Sequence, residues 1–538
     1  MSVRRAQPPT VMPGDRSAPR VGNCLAHELL SLSRVDRLKS HHFTHCSGPL
    51  IAPNRQRTMH APNAPDPGRL SPVETVCVDL DGTLIAADLF WEALVRLVIR
   101  TPWLVLSLPF WALKGRAHFK RQVATRFAID AAKLPYRDEV LAGLYYARQR
   151  GDTIVLATAS DELYAQEVNR HLRIFSDVLA SDGVVNMSGR TKAQALSARF
   201  GSGCFHYIGN DWADLHVWSA GGSATVVAAP GRLIQRVARK VPIRKIIAPA
   251  RTRLSALARA MRPHQWAKNV LVFAPLIAAH GIFSIGPVTA TLVAFASFSL
   301  CASGIYIIND ILDLEADRLH PRKKSRPFAA GELSIPFGLA FAGALLVGGL
   351  LFAGVAASWK LAIILTTYIV VTTAYSTWLK REPVVDVFVL AGLYVLRLIA
   401  GAVAGSIPLS TWLLAFALFF FLSLAFVKRY TELAGHGRTP GRGYTPDDAM
   451  WMNAIGTSSG YMAAVVMALY VSAPDVTSLY SRPKTLWLLC PLLLFWITRT
   501  WFRAGRGQSH DDPVVEALKD PVGYVCGLAL TVILLVAL

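Results

Sequence analysis

The feature that most constrains this chain is a train of apolar stretches running from Asn269 to the C-terminus, at about 267–283, 287–308, 335–356, 360–378, 384–405, 409–427, 450–472, 484–500 and 521–538. Most of these nine approach the roughly 20 residues an α-helix needs to cross a bilayer. Several are rich in small residues, as in Phe341-Ala-Gly-Ala-Leu-Leu-Val-Gly-Gly-Leu, which suits close helix packing in lipid. A soluble helical core does not need so many long runs in succession. Hydrophobic residues make up 53% and charged residues 17% of the 538, too apolar for a disordered or wholly soluble chain. The expectation is a polytopic membrane protein with nine transmembrane helices.

The chain carries 56 Lys and Arg against 35 Asp and Glu. Much of that surplus lies in alternate loops of the apolar region: Arg318, Arg322, Lys323, Lys324, Arg326, Lys380, Arg381, Lys428, Arg429, Arg438, Arg442, Arg499, Arg503, Arg506 and Lys519. Positive charge stays on the cytoplasmic side, so these loops and the N-terminal portion are expected inside and the C-terminus outside, in the cell inner membrane. Ten further Lys or Arg residues and no acid lie between Gly231 and Arg262. This stretch is expected as a basic interfacial linker over 229–262, held on anionic headgroups. Nucleic-acid binding is its rival, disfavoured because membrane begins where the run ends.

Residues 1–70 are rich in Arg, Pro, His and Ser; they are expected as a disordered extension, or as an over-long start with Met59 the initiator. The seven cysteines show no CxxC or Cys/His cluster, which argues against zinc or a disulfide framework.

Before the basic run the pattern changes. Val73-Glu-Thr-Val-Cys-Val-Asp79-Leu-Asp81-Gly-Thr83 is a strand-like run ending in two carboxylates one residue apart. Positions two apart on a strand share a face, so Asp79 and Asp81 project toward one site. One then serves as nucleophile and the other as general acid/base, with a divalent cation between them. A second buried-strand run, from Asp152, ends in hydroxyls and places Thr158 to hydrogen-bond a phosphate; Lys192 opens a helix and balances phosphate charge. A third run, Phe205-His-Tyr-Ile-Gly-Asn-Asp-Trp-Ala-Asp214, delivers acids to the same sheet edge.

This order resembles the haloacid-dehalogenase (HAD) phosphotransferase superfamily, with an α/β domain over 73–228 and a helical cap at about 88–150. The last motif departs from the family's GDxxxD: Asn210 takes the first acidic position, leaving Asp211 or Asp214 to hold Mg²⁺ beside Asp79 and Asp81. In the cap, Trp103-Leu-Val-Leu-Ser-Leu-Pro-Phe-Trp-Ala-Leu, between Arg100 and Lys114, is too short to span and is expected to dip into the membrane.

The second apolar stretch ends in Asn309-Asp310-Ile-Leu-Asp313-Leu-Glu-Ala-Asp317-Arg318. On a helix Asp310, Asp313 and Asp317 fall at i, i+3 and i+7, a single face that a cation would join. Hard oxygen ligands suit Mg²⁺, and Mg²⁺ so held commonly brings a diphosphate.

The pattern resembles the UbiA superfamily of membrane prenyltransferases over 263–538, with Arg262-Pro-His-Gln-Trp-Ala-Lys268-Asn269 upstream and His320-Pro-Arg-Lys-Lys-Ser-Arg-Pro downstream. Tyr375, Lys380 and Asp386 match its tyrosine/lysine region. Quinone-type members carry a second DxxxD in the sixth loop; this chain has Lys428-Arg429-Tyr-Thr-Glu432, then Arg442-Gly-Tyr444. That basic loop is similar to the branch joining polyprenyl phosphate to phosphoribosyl diphosphate (PRPP). The resemblance implies Mg²⁺ on Asp310, Asp313 and Asp317, supported by Asn309. Lys268, Arg318, Lys323, Arg326, Lys380, Lys428, Arg429 and Glu432 are its candidate substrate contacts. The fusion of two phosphate-handling domains on one cytoplasmic face makes dephosphorylation of the product by the HAD half a further expectation. The alternatives are aromatic prenylation with an isoprenoid diphosphate, a non-catalytic scaffold, and a transporter, the last disfavoured because the acids lie at a helix end rather than the midplane.

Overall fold

Short β-branched runs bounded by turns build the first half. In this computed structural model, which describes residues 74–249, 251–436, 443–508 and 520–538, Thr75–Val78 forms β1, buried along most of its length. The N-terminal segment, Arg438, Arg442 and Lys519 lie outside the described residues. After β1 come α1 (Leu89–Arg100), a 3₁₀ turn (Pro102–Ser107), α2 (Leu108–Leu113), α3 (Arg116–Ala124) and α4 (Asp138–Gln149). Alternating strands and helices follow: β2 (Thr153–Asp161), α5 (Glu162–Leu172), β3 (Asp177–Ser181), α6 (Arg190–Phe200), β4 (Phe205–Gly209), α7 (Leu215–Ala220), β5 (Ser223–Val227), α8 (Gly231–Ala238) and β6 (Ile243–Ile247).

The sheet order is β3-β2-β1-β4-β5-β6 and every pairing is parallel. Val78 stands opposite both Leu156 and Ile208, so the ends of β1, β2 and β4 meet at one edge, where open α/β sheets bind ligands. The basic stretch expected as an interfacial arm proves different over its first half. Gly231–Ala238 packs Leu233 and Val237 into the core, and Ile243–Ile247 is the sixth strand. Its exposed Arg244 and Lys245 lie on an edge strand, where charge blocks pairing with other chains.

The second half is helical. After α9 (Arg253–Met261), the first expected span breaks into a 3₁₀ segment (Pro263–Phe273), α10 (Ala274–Ala278) and another 3₁₀ turn (Gly281–Phe283). Pro263 and Pro275 lack backbone donors, and His280 sits at φ +53, so no continuous helix forms. This segment lies so close to the bundle that a Cβ on Gly401 would stand 1.9 Å from the Val272 carbonyl oxygen.

Helices α11 (Ile285–Leu312), α12 (Leu314–Leu319), α13 (Ile335–Ala356), α14 (Trp359–Thr377), α15 (Val385–Ala404), α16 (Thr411–His436), α17 (Asp448–Ser472), α18 (Pro474–Thr477) and α19 (Leu489–Gly505) follow, then a C-terminal helix, Pro521–Ala537. Seven helical segments of the described chain are long and apolar enough to cross a membrane, against the nine expected. The two that differ are the broken first segment and the C-terminal helix of 17 residues. The chain is a multi-pass membrane protein with an α/β domain before its bundle.

The two halves pack through α1. Trp91 and Val95 join a cluster with Ile307, Ile311, Leu314 and Phe328, while Arg318 forks onto Glu92 at 2.9 and 2.5 Å. The α/β domain thus sits at the bundle end that carries the acidic residues.

Candidate active site

Two clusters of ionisable side chains stand at that end. In the α/β domain, Asp79 leaves β1 just before a turn at Gly82, where φ is +75 and a Cβ would lie 2.2 Å from the Asn210 amide nitrogen. Only glycine satisfies both constraints. Lys192, 3% exposed on α6, donates to Asp79 Oδ1 at 2.8 Å and to the Tyr207 hydroxyl at 2.9 Å, and lies 3.4 Å from Asp214 Oδ1. Burial alone would lower the pKa of its ammonium; Asp79 and Asp214 outweigh that and raise it. Asp79 is pushed up by burial, with Lys192 pulling the other way.

Asp81 Oδ1 accepts from the Leu89 N–H at 2.9 Å, the start of α1, and its other oxygen bonds the Ser160 hydroxyl. Thr158 is fully buried and accepts from the Ser160 N–H at 3.0 Å. Asp214, expected as a metal ligand, is a hydrogen-bond hub: Tyr207 and Lys192 donate to one oxygen, the Asn210 and Asp211 N–H groups to the other. Asn210 Oδ1 accepts from Thr83 at 3.1 Å. Asn210 brings an amide to the first acidic position of the last motif and Asp214 already accepts four hydrogen bonds, and among the described residues Asp79, Asp81 and Asp214 do not gather as a metal cage. Two contributors were not singled out in the sequence. Tyr207 lies inside an apolar run, and Lys120, reaching the Ala159 carbonyl at 2.6 Å from the cap, carries no local signal.

At the membrane cluster, α11 ends at Leu312 and Asp313 occupies a kink before α12, so the three aspartates do not share one unbroken helix. Asp310 and Asp317 are each 2% exposed; the Asp313 side chain is half exposed, with Lys380 4.0 Å away. Arg326 bridges Asp310 Oδ1 at 3.2 Å and Asp317 Oδ2 at 2.6 Å. Arg262, whose guanidinium lies 5.2 Å from the Tyr306 ring centre, bonds the same Asp310 oxygen. Burial raises the Asp317 pKa, opposed by Arg326 and Lys323. Asp310 Oδ2 is buried and has no hydrogen-bond partner.

Among the described residues no three His, Cys, Asp or Glu side chains gather as a metal cage. Mg²⁺ is commonly held by one or two carboxylates together with substrate phosphates. The open Asp310 oxygen beside Asp317 and Asp313 fits that mode.

The remaining candidates divide. Tyr375, Asp386, Arg429 and Glu432 meet in one knot. Arg429 donates to Asp386 at 2.5 Å, Glu432 at 2.7 Å and the Tyr375 hydroxyl at 2.6 Å, while Tyr444 also bonds Asp386. Arg429, 1% exposed, is therefore committed to holding α14, α15 and α16 together, in place of the expected basic face for phosphate. Arg318 is likewise taken by Glu92. Lys323 is exposed, and Lys268, Asn309 and Lys428 are half-buried. Arg397, missed in the sequence although it interrupts an apolar run, is 5% exposed within α15. It donates to Asn269 Oδ1 at 2.9 Å and the Leu393 carbonyl at 2.5 Å, pinning the broken segment that carries Lys268.

A model of the UbiA prenyltransferase family matches residues 270–515. A protein of Sinorhizobium fredii, y4nM, is 34% identical over 458 residues, covering 84% of this chain and 88% of its own, thus both halves. Decaprenyl-phosphate phosphoribosyltransferase of Corynebacterium glutamicum is 36% identical over 295 residues, 52% of this chain and 86% of that one. The chain belongs to the UbiA family. This UbiA protein also aligns in its α/β half with a substrate-bound phosphoserine phosphatase, at 12% identity over 33% of this chain and 93% of that one, with a TM-score of 0.24.

Proposed function

We propose that this UbiA protein joins PRPP to a polyprenyl phosphate at the Asp310 cluster. The observation that carries the reading is one buried carboxylate, Asp310, gripped on one oxygen by Arg262 and Arg326 and open on the other. Asp310, Asp317 and Asp313 hold the cation. Arg262, Arg326, Lys323 and Lys380 surround the diphosphate, with Lys268, Asn309 and Lys428 as further candidate contacts. Mg²⁺, when bound, neutralises the charge of the departing diphosphate. The lipid phosphate oxygen attacks the anomeric carbon as its bond to diphosphate breaks, so the protein's part is positioning and electrostatic stabilisation. The similarity to decaprenyl-phosphate phosphoribosyltransferase supports this substrate pair. The sixth loop supports it too, since Arg429 is knotted to Asp386 and Glu432 where a second metal-binding acid pair would serve an allylic diphosphate.

The α/β domain then receives the 5-phosphate still on the lipid-linked sugar. Asp79, at the sheet edge with Lys192 and Thr83 on its oxygens, is the group to attack phosphorus. The surplus of Lys and Arg in alternate loops supports a cytoplasmic position for this end of the bundle, in the inner membrane.

The test is to incubate membranes with Mg²⁺, polyprenyl phosphate and radiolabelled PRPP. Labelled lipid with the native chain and none with Asp310→Ala is expected. No label, with turnover restored by an allylic diphosphate and an aromatic acceptor, overturns the substrate assignment. The charge of the lipid in Asp79→Asn reports the second step: an unchanged phosphorylated product would dismiss the phosphatase role.

A further inference from the structure

We propose that the segment Pro102–Leu113 is a wedge seated in the headgroup region of an anionic bilayer beside the bundle. It comprises the 3₁₀ turn Pro102–Ser107 and α2, and neither contains a buried residue. Trp103, Leu106, Phe110 and Leu113 are 70, 76, 67 and 85% exposed. Their spacing of three, four and three residues lays them along one stripe. The opposite side is engaged: Leu104, Leu108 and Trp111 pack against the α/β core, and Arg126 lies over the Trp111 ring at 4.8 Å. The stripe is therefore held outward by a folded support.

Two observations choose the occupant. The first is continuity with an existing interface. On α1, Trp91 and Val95 press on the end of the bundle, and Ile99, one turn further, is 48% exposed on the same face. α1 ends at Arg100 and Thr101 (φ −137, ψ 75) breaks the helix, so the stripe is a separate turn that follows the bundle-facing end of α1 directly in the chain. Beyond the rim of a membrane bundle, what meets that face is lipid. The second is charge. No ionisable residue lies between Arg100 and Lys114, and Arg100, Lys114 and Arg116 flank the apolar stripe, all exposed. An apolar stripe bordered by cations is the pattern that binds anionic interfaces.

The consequence concerns the substrate of the α/β half. Its site is covered by the same cap, since Lys120 on α3 reaches the Ala159 carbonyl beside Asp81 and Ser160. A cap seated in headgroups offers that site phosphates attached to lipid. This last step rests on the phosphatase reading; the wedge itself does not.

The experiment replaces Phe110→p-benzoylphenylalanine, and separately Leu106→p-benzoylphenylalanine, in the full chain reconstituted in nanodiscs of phosphatidylethanolamine and radiolabelled phosphatidylglycerol. Tyr146→p-benzoylphenylalanine, 63% exposed on α4 and away from the stripe, is the reference. All three replace exposed side chains, and adduct formation requires no turnover. Irradiation is expected to give at least tenfold more lipid adduct at 106 and 110 than at 146. Equal labelling at the three sites, or a cross-linked second copy of the chain in place of lipid adducts at 106 and 110, overturns the proposal. Adducts at 106 and 110 in a protein whose Asp79→Asn variant leaves the lipid product unchanged would retain the wedge and discard the phosphatase reading.

Discussion

The two acidic clusters of this chain are built from the same residue type and neutralised in opposite ways. Around Asp79 a single buried lysine reaches Asp79 and Asp214, and tyrosine and backbone N–H groups take the remaining Asp214 valences. Around Asp310 two arginines crowd one oxygen and leave the other bare. In the first arrangement the Asp214 oxygens are all engaged by the fold; in the second one buried Asp310 oxygen is left without a hydrogen-bond partner. Counting aspartates does not distinguish them. Counting donors per oxygen does.

The comparison breaks first if Lys192 is not the keystone of the Asp79 cluster. Lys192→Met should destabilise the chain by about 3–5 kcal/mol, the usual cost of stripping one partner from a buried ion pair. Urea unfolding in detergent checks it, and a loss under about 1 kcal/mol would mean the aspartates are neutralised otherwise. Arg429→Met should behave similarly, because Asp386 is fully buried and loses its guanidinium.

A smaller effect comes from pH. His206 is held between the Ser223 and Thr225 hydroxyls, and burial pushes its pKa down to about 4 from 6.5. The folded state resists protonation that the unfolded chain accepts. Stability should therefore be full above about pH 6.5 and fall as pH drops toward 4, by about 3 kcal/mol from this group. A His206→Asn variant should show a shallower loss between pH 7 and 4.5; an identical slope would remove His206 from the account of acid sensitivity.

The smallest single effect is expected at Asp313, in the Asp310 cluster. Asp313 is half exposed at a kink, 4.0 Å from Lys380, so as the outermost of the three proposed cation ligands its replacement, Asp313→Asn, should lower the proposed phosphoribosyl transfer only a few-fold, below about 1 kcal/mol. Asp310→Asn should lower it by about 10²–10³, as loss of one preorganised charge contact does. Equal losses in the two variants would restore the unbroken acidic face that the spacing suggests.

What the sequence made legible follows from local rules. Asp79 and Asp81 stood out because they follow a strand-like run directly and Gly82 marks the turn, although β1 itself ends at Val78 and both lie just past it. Asp310, Asp313 and Asp317 were readable as a group by helical spacing, but not the kink at Asp313, which reflects tertiary packing of α12 against the loop at Phe328 and Ala329. Long-range partners were invisible. Arg318 and Arg429 read as free cations, and the acids that claim them, Glu92 and Asp386, lie 226 and 43 residues away. The sixth strand was hidden because its edge position demands charge. Nine expected spans became seven long helices among the described residues because prolines and a left-handed His280 break the first and the C-terminal helix is 17 residues long.

The most direct test is Mn²⁺ titration followed by electron paramagnetic resonance, using the native chain, Asp310→Asn and Asp79→Asn, each with and without PRPP. Binding that PRPP strengthens should be lost in Asp310→Asn and kept in Asp79→Asn. Binding that survives in Asp310→Asn and vanishes in Asp79→Asn would contradict the assignment of the two clusters.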